Sequence, residues 1–277
     1  MILPGYERGK LELDGGGAMP YVEFGSGGVE LVFIPGAGDG LATAYDRARN
    51  LSWFYRKRAL DFRMLVLSRR EPIPEGYTVE QHAEDYAEAL DTLGRRSVVL
   101  ECNSAGGLIG QQVAVRRPDL VRGLVLASTA HRIDEQARAV ISDWLELIER
   151  REWGEFAWDS SVKTYKALAR RQWLKPVVKP LLGIFGRPDD PERLERTLRG
   201  LLGVDNGQIL YRISQPALVF GGVEDPIFSH ALQREMAEGI PDSRSVFQAG
   251  YLHGADLESP EYGTVLNDFV QRLGEER

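Results

Sequence analysis

Val98-Val99-Leu100-Glu101-Cys102-Asn103-Ser104-Ala105-Gly106-Gly107 decides how this chain is read. Val98 to Leu100 is a short apolar run of the kind a parallel sheet buries on both faces. It meets a tight turn, and from Ala105 to Arg116 an apolar face recurs at helical spacing and stops before Pro118. A serine at the apex of such a strand-turn-helix is held in a strained conformation with its hydroxyl exposed, so small residues must flank it. The usual pattern is G-x-S-x-G; here it is Cys102-x-Ser104-x-Gly106, with cysteine in place of the first glycine. The plain alternative is that Ser104 only caps a helix. Cys102 is a rival nucleophile, but at the strand end it is expected to pack as a small hydrophobe.

Outward from this turn, Val29–Ile34, Phe62–Leu67, Leu124–Ala127 and Ala217–Phe220 are further short apolar runs. Lys10–Leu13 and Met19–Phe24 alternate polar and apolar residues on either side of the turn Asp14-Gly15-Gly16-Gly17. Thr78-Val79-Glu80-Gln81 resembles a helix N-cap opening into Ala83, Tyr86, Ala87 and Leu90. Strands alternating with helices predict a mainly parallel sheet covered on both sides. From about His131 to Ser214 the rhythm breaks: helix formers dominate, and four of the five tryptophans (Trp144, Trp153, Trp158, Trp173) fall there. This segment is expected to be a helical insertion over the sheet, with most of its aromatics in a small core of its own and one or two lining a pocket.

The chain has 277 residues, 43% hydrophobic and 27% charged, which suits a globular protein with a large core. A net charge of −7 leaves no whole-chain electrostatic footprint for nucleic acid or for an anionic membrane surface. One cysteine excludes an intrachain disulfide, and with four histidines it leaves little for a zinc site. The opening Met1-Ile2-Leu3-Pro4-Gly5-Tyr6-Glu7 lacks the basic flank and apolar stretch of a secretory signal, and no apolar run approaches the roughly 18 residues of a bilayer span. A cytoplasmic location is the expectation. Gly36-Ala37-Gly38-Asp39-Gly40 hints at a dinucleotide site, but the third glycine of that fingerprint would fall at Leu41.

Cys102 to Gln111, continued by Arg117 to Leu126, resembles the α/β-hydrolase superfamily, and within it enol-lactonases and small-ester hydrolases. The resemblance covers the core on both sides of the insertion and fades across the insertion itself. It implies an eight-stranded, mostly parallel sheet with helices on both faces, formed by residues 1–130 and 215–277, and a helical cap over 131–214. It implies the chain order nucleophile, acid, histidine. Ser104 is the implied nucleophile. His253, in Gly250-Tyr251-Leu252-His253-Gly254, matches the family's histidine loop, including Glu258 and Pro260 five and seven residues on. His82, in a helix expected to be exposed, His230 at a helix start and His131 at the insertion boundary fit less well. Asp225, in Gly221-Gly222-Val223-Glu224-Asp225-Pro226, is the implied acid, with Glu224 the adjacent alternative and Asp256 read as solvated or capping the last helix. The N–H groups of Ala37 and Ala105 are the implied oxyanion hole.

Three departures stand out. The family usually has His-Gly where this chain has Pro35-Gly36, and often D-x-R-G-x-G where it has Ser68-Arg69-Arg70-Glu71-Pro72. Glu101 is unusual so near a buried strand end, and is read as paired with Arg69 or another base, or as touching the site. The resemblance implies a cofactor-free, metal-free serine hydrolase acting on a small to medium hydrophobic carboxylester or lactone through an acyl-enzyme. Its partners would be that small molecule and, in a homodimer, a second copy, with neither nucleic acid nor membrane. The same scaffold also hosts cofactor-free haloperoxidases, lyases and small-molecule receptors, which remain the alternative.

Overall fold

The computed structural model describes residues 5–275, so Met1 to Pro4 of the opening segment lie outside the described residues. One sheet contains β1 (Tyr6–Glu12), β2 (Ala18–Phe24), β3 (Val29–Ile34), β4 (Phe62–Leu67), β5 (Val98–Asn103), β6 (Val121–Ala127), β7 (Ala217–Gly222) and β8 (Ser243–Gln248). The strand order is β1-β2-β4-β3-β5-β6-β7-β8. β1 with β2 and β2 with β4 run antiparallel; every pair from β4 through β8 is parallel. The chain winds outward from β3 to β4, then returns to place β5 on the other side of β3. That reversal opens a crevice beyond the carboxyl ends of β3 and β5, where open α/β sheets bind their ligands.

The helices are α1 (Ala48–Phe54), α2 (Arg58–Asp61), α3 (Val79–Thr92), α4 (Ala105–Arg116), α5 (Glu135–Glu149), α6 (Trp153–Thr164), α7 (Lys166–Ala169), α8 (Lys175–Phe185), α9 (Pro191–Arg199), α10 (His230–Gly239), α11 (Ala255–Glu258) and α12 (Tyr262–Glu275). Alternation along the strands explains their continuous apolar runs. Val32, Ile34, Leu100 and Cys102 pack with α3, α4 and α10 on one face, while Leu31, Phe33 and Val99 pack with α1 and α12 on the other. α3 begins with a capping box: Gln81 N–H donates to Thr78 Oγ1 (3.3 Å) and Thr78 N–H to Gln81 Oε1 (3.0 Å). Its His82 is buried rather than exposed, edge-on to the Tyr77 ring (centroids 4.9 Å apart), because the segment after β4 and Arg193 of α9 close over that face. Burial, with the nearby charges of Arg69, Arg193 and Arg70, holds its pKa well below the usual value.

Helices α5 to α9 all lie between β6 and β7. Trp144 and Phe156 meet edge to face (5.9 Å), Trp153 and Trp158 are buried, and Trp173 is exposed.

Candidate active site

β5 ends at Asn103 and α4 begins at Ala105, so Ser104 alone turns the chain, with φ 51° and ψ −123°. L-residues rarely occupy that region, and the surroundings must over-determine it. They do: Ser104 N–H donates to Ala127 O (2.9 Å), and Ser104 O accepts from Gly107 N–H (2.8 Å) and Thr129 Oγ1 (2.6 Å). At Gly106 any Cβ would collide with the carbonyl oxygen of Ile34, so α4 can start this close to β3 only with glycine there. Cys102 is fully buried, with its sulfur against Gly110 of α4, where an added Cβ would overlap it. A glycine on the helix thus makes room for the cysteine on the strand. Burial, and next the charge of Glu101, push the thiol pKa well up, which keeps Cys102 a neutral thiol.

His253 Nε2 lies 2.8 Å from Ser104 Oγ, and His253 Nδ1 lies 2.9 Å from Asp225 Oδ2. Asp225 follows β7, and its Oδ1 accepts from the N–H groups of Ile227 (2.8 Å) and Phe228 (3.0 Å). A carboxylate only accepts, so Nδ1 carries the proton and Nε2 is left to accept from the serine hydroxyl. Glu224 is turned elsewhere, accepting from Gly250 N–H (2.7 Å). The histidine loop is anchored on the last carbonyls of α6: His253 N–H donates to Lys163 O (3.3 Å) and Gly254 N–H to Thr164 O (2.9 Å). Burial opposes charging this imidazole, but the charge and hydrogen bond of Asp225, with the charge of Asp256, outweigh it and leave the pKa above 6.5.

Two further carboxylates lie just behind. Asp256, expected to be solvated or capping, is buried and accepts from Ser128 Oγ (2.7 Å) and Asn103 Nδ2 (3.0 Å). Burial raises its pKa against the opposing hydrogen bond from Ser128. Glu101 shares its face of β5 with Val99 and so points toward α2 and α12. There it accepts from Arg58 Nη1 (2.7 Å) and Tyr262 Oη (2.7 Å); Arg69 is not its partner. His131 is buried away from this cluster, beside Arg132 (2.6 Å) and Glu235 (3.5 Å).

After β3, Pro35 and Gly36 lead into a single 3-10 turn, Ala37–Gly40. Ala37 and Ala105 each open a helical turn, so neither N–H has an intrahelical acceptor. Gly36 O accepts from Arg69 Nη1 (3.0 Å) and Asp39 N–H (3.2 Å). Asp39 Oδ2 accepts from Arg69 N–H (2.9 Å) and from Arg193 Nη2 (2.8 Å) of α9. Arg193 also donates to the carbonyls of Arg69 (3.0 Å) and Arg70 (2.8 Å). Sequence reasoning missed this cluster. The Arg69-Arg70 pair was the one local signal, and nothing in its spacing points to α9.

Ser104, His253 and Ala37 border a cavity of about 440 Å³ whose walls include Tyr55, Trp144 and Phe156. Among the described residues, no group of three or more His, Cys, Asp or Glu side chains is placed to hold a metal ion, and no helix is long and apolar enough to cross a membrane.

A family model described as "Alpha/beta hydrolase family" matches residues 31–262. Over 227 residues the chain is 24% identical to a Stutzerimonas stutzeri protein provisionally named carbamate hydrolase RutD, covering 78% of this chain and 84% of that one. It is 32% identical over 181 residues to the pimeloyl-[acyl-carrier protein] methyl ester esterase of Chromobacterium violaceum, covering 62% and 66%. The enol-lactonase of Burkholderia xenovorans LB400 aligns with a TM-score of 0.75 at 22% identity, over 95% of this chain and 100% of that one.

Proposed function

Because this chain belongs to the alpha/beta hydrolase family, we propose that it is a serine hydrolase that cleaves a carboxylester or lactone through an acyl-enzyme on Ser104. The observation that carries this reading is the continuous relay of Ser104 Oγ to His253 Nε2 (2.8 Å) and His253 Nδ1 to Asp225 Oδ2 (2.9 Å). Ser104 Oγ attacks the carbonyl carbon while its proton passes to His253 Nε2. The carbonyl electron pair moves onto oxygen, where the N–H groups of Ala37 and Ala105 stabilise it. Collapse breaks the bond to the leaving oxygen, which takes the proton from Nε2. Water then gives a proton to His253 and attacks the acyl carbon, and Ser104 leaves with that proton. Asp225 holds the tautomer and offsets the imidazolium charge throughout.

The walls support the reading of the substrate class. A cavity of about 440 Å³ bordered by Tyr55, Trp144 and Phe156 suits a small to medium hydrophobic acyl or lactone group. Trp144 and Phe156 come from the 131–214 segment, which supports reading that segment as a cap over the site. Names given to relatives, a methyl ester esterase and an enol-lactonase, lie in the same chemical class.

Intact-protein mass after exposure to a fluorophosphonate tests the proposal. A single adduct on the wild type, absent from Ser104→Ala, is expected, together with loss of ester turnover in a variant that melts normally. An adduct that persists in Ser104→Ala, or full turnover by that variant, would remove Ser104 from the chemistry.

A further inference from the structure

The net charge of −7 averages over an uneven surface. Between Ser160 and Pro188 the chain carries Lys163, Lys166, Arg170, Arg171, Lys175, Lys179 and Arg187 and no carboxylate. Some of these cations are occupied: Lys163 pairs with Asp159, Lys175 and Lys179 share Glu155, and Lys166 sits over the Tyr251 ring. Arg170, Arg171 and Arg187 are exposed. The same stretch presents Trp173 at 75% exposure, Val177 at 66%, Leu181 at 51% and Ile184 at 70%. Spacings of four and three put Val177, Leu181 and Ile184 on one face of α8, with Trp173 a turn earlier. The opposite side of α8 packs on α6, which lines the cavity with Phe156 and Thr164 and holds the His253 loop.

We propose that Trp173 and α8 form a docking surface for an anionic lipid bilayer, lying in the headgroup plane with the apolar stripe inserted and the arginines on lipid phosphates. This departs from the expectation drawn from whole-chain charge. A tryptophan leading an aliphatic stripe, flanked by cations, is the composition of interfacial helices. A second copy of the chain would bring like-charged faces together, and an acidic protein would answer the arginines while leaving the stripe without a partner. A bilayer answers both. On the hydrolase reading, on which this consequence rests, the docked face lies one helix from the cavity and directs the enzyme toward lipid-dissolved esters.

Co-sedimentation of Ser104→Ala, which spares the lipid from turnover, tests the docking. Vesicles of phosphatidylcholine and phosphatidylglycerol in equal parts are compared with phosphatidylcholine alone, at low and high salt. Binding to the mixed vesicles is expected, at least tenfold weaker to phosphatidylcholine alone, at high salt, and after adding Trp173→Glu and Ile184→Glu. Circular dichroism melts check that these variants fold. Protein left in the supernatant with mixed vesicles would overturn the proposal. So would binding to the mixed vesicles that Arg170→Glu with Arg171→Glu abolishes but Trp173→Glu with Ile184→Glu leaves intact, which reduces the contact to charge alone and leaves the stripe uninserted. A dimer in sedimentation velocity that the Trp173→Glu, Ile184→Glu pair dissociates would make the face a contact between copies instead. None of these readouts involves catalysis, so failure of docking and failure of the hydrolase reading are separately visible.

Discussion

Arg69 donates from Nη1 to the carbonyl oxygen of Gly36 at 3.0 Å, and together with the Asp39 N–H on the same oxygen (3.2 Å) it sets the direction of the Ala37 N–H. The C=O and N–H of a trans peptide point in opposite directions, so holding the oxygen on the Arg69 side turns the hydrogen to the other. Arg69 is therefore a positioning residue for the proposed oxyanion site.

Arg69→Met is expected to lower kcat by about 10- to 100-fold with KM little changed, a fraction of what losing an oxyanion donor costs. Arg69→Lys, which keeps one donor, should fall between the two. Steady-state kinetics on a soluble ester decides it. An unchanged kcat, or a loss confined to KM, would separate Arg69 from the Ala37 N–H.

The raised pKa of His253 fixes the shape of the pH profile. The imidazole acts as base only when neutral, so kcat/KM is expected to climb as pH rises through a value above 6.5. Asp225→Asn removes the charge and acceptor that raise it, leaving burial to dominate. The ascending limb should then move to lower pH while the rate drops by about 10³- to 10⁴-fold. Asp256→Asn should shift the limb in the same direction with far less loss of rate, since it leaves Asp225 to hold the tautomer. A limb that stays in place in Asp225→Asn would overturn this assignment.

The same linkage acts on stability. Asp256 holds its proton more tightly folded than unfolded, so its contribution is fully present below the ordinary carboxylate value of 3.8 and is lost as pH rises through the raised one. Asp256→Asn does not titrate, so its melting temperature relative to wild type should increase as pH rises from about 4 toward neutrality. Calorimetric melts across that range would show a constant difference if the carboxyl were unperturbed.

Arg58 and Glu101 form a pair with side chains 15% and 0% exposed. Arg58→Met leaves a buried carboxylate without its cation and is expected to destabilise by about 3–5 kcal/mol. Adding Glu101→Gln, which keeps an acceptor for Tyr262, should recover much of that. Urea unfolding of the two single variants and the double measures it, and strict additivity would deny the coupling.

Gly110→Ala is expected to cost about 1–3 kcal/mol, because the new methyl meets the Cys102 sulfur. Cys102→Gly in the same chain should relieve most of it. If the double variant is no more stable than Gly110→Ala alone, the two residues do not compensate.

The sheet was legible wherever a strand is buried on both faces, as in Val29–Ile34 and Phe62–Leu67, because burial on both sides forces an unbroken apolar run. β8 (Ser-Arg-Ser-Val-Phe-Gln) gave no such signal: it is an edge strand, half solvated. At the site, Ser104 was named from its strand-turn-helix setting, and Asp225 and His253 from the likeness of their loops to the α/β-hydrolase pattern; the structure puts His253 within hydrogen-bond distance of the other two. Asp256 and Arg193 were not readable. Each looks like a surface charge in its local sequence, and each is buried only because an element distant in sequence covers it.

Arg193 also marks where this protein can be divided. A chimera built by exchanging everything between β6 and β7 would discard the guanidinium that braces Asp39, Arg69 and Arg70, and would leave Asp39 without its closest cation. α9 is in effect a remote part of the loop after β3, as the end of α6 is of the His253 loop. An exchange that keeps the site's scaffold therefore stops short of Asp190, the N-cap of α9, and also leaves in place the end of α6, whose Lys163 and Thr164 carbonyls hold the His253 loop.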